Sequence, residues 1–382
     1  MTLIEAIVGI FSYSNLYVAT WGMATSFVLC VILVLTKWLH GSLTMDHMDG
    51  VQKSHIAPAP RIGGVPIVLG LLFACNKATL DVQALIAPIL IAGMPAFIFG
   101  VLEDITKRVS IMHRLMATIV SGLLACYITG YSISRVDVWG LDYLLSFTLV
   151  SVAFTAFAVG GAANSINIID GFNGLASTMI AIALFGFALI SWQVGDTLLA
   201  STAFVLASCV FGFFWVNWPL GKIFLGDGGA YFLGFSVAWV AVMLVERNPG
   251  VSAFSALLIC LHPITEVLFS IYRRWIKHLN PGHPDRLHFH SLLKQRYVRR
   301  WFSGHSDNAH NSITGLLIGL MTLPAVIIAA LVHNNILLSF SAVFCLFIGY
   351  TTIYARMVRF TFCSPFKFVL IKPAPLGKAS GD

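Results

Sequence analysis

The chain contains eleven apolar segments, each close to the length that crosses a bilayer as a helix. A transmembrane helix needs about 20 apolar residues, because only a helix or a closed barrel satisfies its own backbone groups in hydrocarbon. The segments cover residues 20–39, 62–76, 84–102, 112–130, 143–163, 175–193, 197–216, 230–246, 253–276, 313–333 and 336–355. The pattern predicts an all-α integral membrane protein with about eleven transmembrane helices.

Composition supports the membrane class and argues against a soluble one. Of the 382 residues, 58% are apolar and only 10% are charged. The seven cysteines show no paired spacing, so neither a disulfide framework nor a zinc site is expected. Glu5 and the absence of Lys or Arg before residue 37 argue against a cleavable signal. The formal charge of +7 invites a nucleic-acid partner, but in so apolar a chain its distribution matters more than its total, and no nucleic-acid partner is predicted.

The basic residues predict how the chain is oriented. If the eleven segments alternate in direction, only Lys77, Arg135 and Arg247 of the 23 Lys and Arg residues fall on one face. Lys and Arg concentrate on the cytoplasmic side of membrane proteins. We therefore expect the N-terminus outside, the C-terminus in the cytoplasm, one membrane domain over residues 1–355 and a basic cytoplasmic tail over residues 356–382.

The same alternation brings all the polar connections to the cytoplasmic face. They are residues 40–61, 103–111, 164–174, 217–229 and 277–312, whereas the opposite loops are short and chemically plain. The third connection carries an amide or acid at every third residue: Asn164, Asn167, Asp170 and Asn173. A capped helix start in an ordinary loop explains one such residue but poorly explains four. Polar side chains at the mouth of a membrane helix are expensive, so this stretch is a candidate functional site.

Two further connections supply carboxylates. Glu103 and Asp104 are adjacent at a predicted helix end, which suits a hard cation or a proton acceptor. A solvated acid pair balanced by neighbouring Lys and Arg is the alternative. Asp227 is surrounded by glycines at the start of the next helix, where it can reach a metal and where backbone N–H groups favour an anion.

The remaining two connections supply positive charge and imidazoles. Lys53, His55 and Arg61 lie in the first, where a topology signal or lipid contact is the alternative reading. The last contains Asp285, Arg286, His288 and His290, and Arg and His grouped in this way bind phosphoryl oxygen well. Zinc binding by the two histidines is the alternative, but no cysteine lies nearby to complete such a site. Together the connections indicate magnesium-assisted phosphoryl transfer with a lipid reactant.

These residues resemble the polyprenyl-phosphate N-acetylhexosamine-1-phosphate transferases, a glycosyltransferase family. The resemblance covers about residues 40–300, and its most specific segments are residues 167–176, Asn-Ile-Ile-Asp-Gly-Phe-Asn-Gly-Leu-Ala, and residues 224–229, Phe-Leu-Gly-Asp-Gly-Gly. It implies transfer of a sugar 1-phosphate from a UDP-N-acetylhexosamine to undecaprenyl phosphate in the bacterial inner membrane, with release of UMP. Mg²⁺ is the implied cofactor, with Mn²⁺ as an alternative, and a homodimer is left open.

The resemblance also implies roles for individual residues. Asp227 would be a magnesium ligand with Asn167 nearby, and Glu103, Asp104 and Asp227 would be catalytic. The predicted substrate-binding residues are Lys53, His55, Asn164, Asp170, Asn173, Asn217, Lys222, Asp285, Arg286, His288 and His290. Within this set, Asp170, Asn173 and Asn217 match positions associated with the uridine, and Arg286 with the two histidines would contact the diphosphate or sugar.

The chain departs from the family pattern in two places. Glu103 stands where the family usually has Asp, and Asn173 stands where Asp is common. A lipid phosphate is largely ionised near neutral pH, its second pKa being about 6, so we expect direct attack by the phosphate oxyanion. A transporter or flippase of nucleotide sugars or lipid-linked sugars is the rival hypothesis, although no repeated half with midplane polar groups is visible. The sugar and the glycan, whether O-antigen, capsule or cell-wall polymer, stay open.

Overall fold

The computed structural model of the chain describes residues 3–45, 59–276, 278 and 287–359. These residues form helices and no strand, apart from an isolated bridge between Met45 and Pro60. The helices are α1 Leu3–Ile10, α2 Tyr13–Leu35, α3 Lys37–Thr44, α4 Gly64–Lys77, α5 Leu80–Thr106, α6 Ile111–Thr129, α7 Trp139–Leu145, α8 Thr148–Ile169, α9 Leu175–Gln193, α10 Thr197–Asn217, α11 Gly226–Arg247, α12 Ala253–Ile259, α13 Leu261–Ile276, α14 Phe289–Leu293, α15 Arg299–Trp301, α16 Asp307–Leu320, α17 Leu323–Val332 and α18 Ile336–Val358. A π-helical turn, Lys294–Val298, joins α14 to α15.

The predicted all-helical membrane architecture is confirmed. Within the described ranges, nine helical segments are long and apolar enough to cross a bilayer, and α12 with α13 makes a tenth if this pair, bent by 77°, is one span. Helix α4 has 14 residues, so it is only about 21 Å long, which is less than the hydrocarbon thickness of about 30 Å. The predicted count of eleven includes α4 and therefore stays a prediction.

Helix α11 forms the centre of the bundle. In its most apolar stretch of 18 residues, 94% of the residues are buried. Helices α4, α5, α8 and α9 pack around it. The side chains of Phe232, Phe235 and Trp239 are among the largest that are fully buried. A helix that is apolar on all sides belongs inside a bundle, so the position of α11 fixes the position of whatever its first residues carry.

Glycines let α11 approach its neighbours at backbone distance. A Cβ atom on Gly100 of α5 would lie 2.5 Å from the Cα and N atoms of Gly228, and one on Gly64 of α4 would lie 2.3 Å from the Cα atom of Gly229. Small residues permit such close helix contacts in membrane proteins. The first turn of α11 is therefore held directly against the backbones of α4 and α5.

A polar network stabilises the C-terminal end of α11, the end opposite Asp227. The Arg135 Nη2 atom donates to the carbonyls of Val245, Asn248, Pro249 and Val251 at 2.7–3.4 Å. Arg247, the last residue of α11, pairs with Asp196, which caps the start of α10; the Nε–Oδ2 distance is 2.7 Å. Two of the three basic residues predicted to lie apart from the others, Arg135 and Arg247, are thus structural partners of helix ends.

Candidate active site

Asp227, the second residue of α11, is the centre of the polar site. Its Oδ1 atom accepts hydrogen bonds from Arg61 Nη2 at 3.2 Å and from Asn167 Nδ2 at 3.1 Å. Its Oδ2 atom accepts from Arg114 Nη1. The carboxylate is buried, and its donors come from the segment before α4, the last turns of α8 and the first turn of α6.

Backbone pairing between two connections explains why Arg61 reaches Asp227. The N–H of Phe224 donates to the Pro60 carbonyl at 2.8 Å, and the N–H of Gly63 donates to the Phe224 carbonyl at 2.9 Å. Gly226 has φ +76°, and a Cβ atom there would lie 2.1 Å from the Arg61 carbonyl oxygen. Only glycine adopts this conformation with so little space, so Gly226 joins the paired strand-like segment to α11.

Asp104 of α5 lies next to Asp227, and its carboxylate faces the first N–H groups of α11. Its Oδ1 accepts from the N–H of Asp227 and its Oδ2 from the N–H of Gly228, both at 3.0 Å. The side chain is 2% exposed, and Arg61 Nε lies 3.7 Å from Oδ1. A carboxylate that accepts the free N–H groups of a helix start is stabilising there. Both oxygens are used, so we infer that Asp104 positions Asp227.

We expect Asp104→Asn to lower both stability and activity. The amide retains one acceptor but turns an N–H group towards a backbone N–H, and a buried unsatisfied donor costs about 1–3 kcal/mol. The thermal unfolding midpoint of the purified chain should fall together with turnover. The matched control is Asp81→Asn, an exposed acid in the first turn of the same helix. Loss of turnover with an unchanged midpoint would instead make Asp104 a catalytic base.

Asn167 is oriented by a residue of α11. The Tyr231 hydroxyl, one helical turn after Asp227, donates to Asn167 Oδ1 at 3.2 Å, while Nδ2 donates to Asp227. Asn164, one turn earlier on α8, is directed elsewhere: its Nδ2 donates to Thr118 Oγ1 at 3.1 Å and to the Gly160 carbonyl at 2.8 Å. Of the two predicted amides, Asn167 therefore lies in the site and Asn164 ties α8 to α6.

Asp170, immediately after α8, brings a third carboxylate to the group. Its side chain is half-buried, and it accepts no hydrogen bond from the part of the chain that the structure describes. Burial raises the pKa of Asp170 to about 7; Arg61 opposes this rise, while the charges of Asp227 and Asp104 add to it. A cation beside Asp170 would favour its ionised form.

Asn173 and Asn217 connect loops to each other. Asn217 Oδ1 accepts from the N–H of Gly174 at 2.6 Å, and its Nδ2 donates to the Ile223 carbonyl at 2.7 Å. Asn173 is 1% exposed; its Nδ2 donates to Asn308 Oδ1 at 3.0 Å on α16. The buried Oδ1 atom of Asn173 has no partner among the described residues. Both amides thus hold the loop after α8 in place.

The two histidines of the last connection lie beside that loop. His288 Nδ1 lies 2.8 Å from Glu266 Oε1, and its ring stacks on the ring of His290 with centroids 5.2 Å apart. His290 packs edge-on against Phe172, with centroids 5.0 Å apart. Burial lowers the pKa of His290 to about 3, so its imidazole is neutral at physiological pH. Within the described ranges, the imidazole of His290 makes no hydrogen bond.

The other predicted residues fall at the edge of the site or outside the description. Glu103 is half-buried, and its Oε2 accepts from the N–H of Val109 at 2.8 Å. Lys222 is exposed and has no partner in the described part of the chain. Four predicted residues, Lys53, His55, Asp285 and Arg286, lie outside the described residues.

The structure adds residues that the sequence prediction left out of the site. Arg61 was expected only to supply positive charge in the first connection, and Arg114 was not assigned to the site; both pair with Asp227. Tyr231 shares a helix face with Asp227, four residues away, a spacing that the sequence shows. Glu266 is the one acid in the apolar segment 253–276, and an isolated acid in such a segment is itself a functional signal.

The geometry can be compared with known proteins. Residues 86–245, which carry Asp104, Arg114, Asn167, Asp170 and Asp227, match the sequence model of glycosyl transferase family 4. The predicted family resemblance is confirmed. The family segment thus runs from α5 to the end of α11 and contains the centre of the site.

Curated relatives agree with the family match. The chain is 28% identical over 252 residues to an undecaprenyl-phosphate alpha-N-acetylglucosaminyl 1-phosphate transferase of Salmonella typhi, an alignment that covers 63% of this chain and 67% of the relative. It is 29% identical over 255 residues to the protein of that name from Escherichia coli K12, and 24% identical over 247 residues to that from Yersinia pestis, each with the same coverage of both chains.

Proposed function

We propose that the chain transfers an N-acetylhexosamine 1-phosphate from a UDP-sugar to undecaprenyl phosphate and releases UMP. The observation that carries the proposal is the buried Asp227 carboxylate at a helix start, surrounded by Arg61, Arg114 and Asn167, within the segment that matches the family. The relatives are named as undecaprenyl-phosphate transferases of N-acetylglucosamine 1-phosphate, which supports this lipid acceptor.

The oxygen donors of the site fit a magnesium ion. Asp227, Asp170 and the amide of Asn167 offer carboxylate and carbonyl oxygens, the ligands that Mg²⁺ prefers. Among the described residues no group of three His, Cys, Asp or Glu side chains has a ready metal-binding arrangement. Mg²⁺ is usually bound by one or two carboxylates together with substrate phosphates. When bound, the ion would neutralise charge on the transferred phosphates. Mn²⁺ offers the same chemistry.

The cations of the site suit the two anionic substrates. Arg61 and Arg114 both lie on Asp227, and guanidinium groups bind phosphate oxygens as planar forks. Lys222 is exposed on the adjoining connection. The N-terminus of α11 contributes a favourable field for negative charge, although Asp104 already accepts two of its N–H groups. We place the diphosphate of the donor beside these groups.

The reaction then requires positioning more than proton removal. An ionised oxygen of the lipid phosphate attacks the phosphorus that carries the sugar, and the bond from that phosphorus to the bridging oxygen breaks. UMP leaves with the bridging oxygen and its electron pair, and the product is a lipid-linked sugar diphosphate. Because the nucleophile is already an anion, no proton has to reach Asp104, whose two oxygens accept backbone N–H groups.

The proposal includes a membrane arrangement. We infer eleven spans, with α4 and the bent pair of α12 and α13 included, the N-terminus outside and the site on the cytoplasmic face of the bacterial inner membrane. Residues 1–355 would form the transferase domain and residues 356–382 a basic tail. The polar groups around Asp227 lie at the ends of α5 and α8 and the starts of α6 and α11, which suits a reaction at a membrane surface.

The deciding experiment is an assay of the purified full chain with undecaprenyl phosphate, Mg²⁺ and a panel of UDP-N-acetylhexosamines. We expect UMP only when lipid phosphate, metal and one particular donor are all present, and that donor names the sugar. Removal of the metal with EDTA should abolish UMP release, and added Mg²⁺ should restore it. Folded protein that releases no UMP with any nucleotide sugar would contradict the proposal, and transport by reconstituted vesicles would then be the measurement to make.

A further inference from the structure

Glu266 of α13 is a buried carboxylate with three hydrogen-bond donors from two other segments. Its Oε1 accepts from His288 Nδ1 at 2.8 Å and from the N–H of Phe289 at 3.0 Å. Its Oε2 accepts from the hydroxyl of Tyr350 on α18. The residue is 2% exposed, so Glu266 meets no substrate directly and must act through the groups that it holds.

The contact with Glu266 determines which atom of His288 is available. A carboxylate accepts hydrogen bonds, so the Nδ1 atom of His288 carries the hydrogen, and only the Nε2 atom is left for another partner. An imidazole held by a carboxylate in this way has a fixed orientation and tautomer. Removal of the charge would leave the ring free to rotate or to change tautomer.

A chain of ring contacts connects His288 to the site. His288 stacks on His290, with ring planes 10° apart. His290 contacts Phe172, two residues after Asp170. The Lys294 ammonium also contacts Phe172, at 5.5 Å from the ring centroid. Glu266 is thus connected, through the rings of His288 and His290, to the loop that carries Asp170.

We propose that Glu266 is a positioning residue for the sugar-nucleotide donor: by holding His288 it fixes the stacked ring of His290 and the loop that carries Asp170. The inference rests on the proposed function and assigns it a part that neither the sequence motifs nor the relatives' names contain. Buried acids are uncommon unless they are paired. Here one of the partners is a histidine whose ring stacks on His290, which in turn contacts the loop of the site.

The test compares Glu266→Gln, His288→Ala and the double variant in the full chain. Gln keeps the shape and one acceptor, so the fold is retained while the charge is lost. We expect the KM for the donor to rise roughly 10-fold in each single variant, the usual effect of a lost hydrogen bond to a charged group. The KM for undecaprenyl phosphate should not change. The double variant should be no worse than His288→Ala alone, because the two residues act as one unit.

The matched control is Glu246→Gln at the other end of α11. Glu246 also accepts two hydrogen bonds, from the N–H and the Oγ of Ser134, each at 2.8 Å, and its loss should leave the donor KM unchanged. Equal KM values for wild type and Glu266→Gln, or additive effects in the double variant, would overturn this inference alone. If the wild type neither releases UMP nor binds UDP in calorimetry, the proposed function and this inference are both overturned.

Discussion

The Asp227→Asn variant should lose at least about 10³-fold in turnover while it stays folded, since removal of a single preorganised electrostatic group at a reacting phosphate has effects of this order. Asn keeps an oxygen that can accept from Arg61 and Asn167, but it removes the charge and turns an N–H group towards Arg114. The Asp104 carboxylate still accepts the N–H groups at the start of α11, so the helix start is retained. UMP release and the thermal unfolding midpoint are measured on the same preparation.

Two comparisons make this result specific. Asp81→Asn, the same substitution at an exposed site, should behave as the wild type in both measurements. Asp104→Asn should lower the midpoint more than Asp227→Asn does, because Asp227→Asn leaves the two hydrogen bonds of Asp104 to the start of α11 in place. An Asp227→Asn protein with normal turnover would remove Asp227 from the reaction, and one that fails to fold would make it a structural residue instead.

The Gly100→Ala variant should lose activity through a displacement of α11, although Gly100 touches no substrate in the proposed reaction. The added Cβ atom would meet backbone atoms of Asp227 and Gly228 at 2.5–2.6 Å, and a backbone cannot rotate aside as a side chain can. Overpacking of this kind costs about 1–3 kcal/mol. A shift of about 1 Å in a reacting group can lower the rate about 100-fold. Turnover and the unfolding midpoint should therefore fall together.

The chain offers a matched substitution for Gly100→Ala. Gly161 lies within α8, and a Cβ atom there meets nothing within 4 Å. Because Ala is the better helix former by about 1 kcal/mol, Gly161→Ala should be neutral or slightly stabilising and fully active. If the Gly100 and Gly161 variants prove equally stable and active, the close contact of α5 with α11 does not determine where Asp227 lies.

The positions of most helices could be predicted from the sequence, because long apolar runs end at clear polar or glycine breaks. The predicted segment 175–193 is the observed α9, and 112–130 differs from α6 by one residue at each end. The prediction is less accurate where polar residues continue a helix. Helix α8 was expected to end at residue 163, but it reaches Ile169 because the side chains of Asn164 and Asn167 find partners on other helices.

The bend in the segment 253–276 has a local cause that the sequence contains. Pro263 lacks the N–H group that would donate to the carbonyl of Ile259, and Ile259 is the last residue of α12. Proline alone does not identify such a break in the sequence, since α5 continues through Pro88 and Pro95. The bend changes the direction of the chain before Glu266, so the straight segment that was predicted would not have suggested the contact between Glu266 and His288.

The contents of the site were only partly predictable. Charge alternation could bring the polar connections to one face, but it contains no information about which side chains meet. Arg61 and Asp227 are 166 residues apart in sequence, and their contact depends on the pairing of two connections. The distinct surroundings of Asp104 and Asp227 also follow from packing. Asp104 of α5 accepts hydrogen bonds from the N–H groups at the start of α11, whereas Asp227 belongs to α11 itself.

The restraints at the two ends of α11 have a mechanical consequence. A carboxylate from α5 holds its first N–H groups, and the Arg135 guanidinium holds carbonyls at its last turn and just beyond it. A sliding movement of α11 along its axis would break hydrogen bonds at both ends at once. Helix α11 is therefore held in a fixed position, and any opening or closing of the site during a catalytic cycle must come from the connections around this helix.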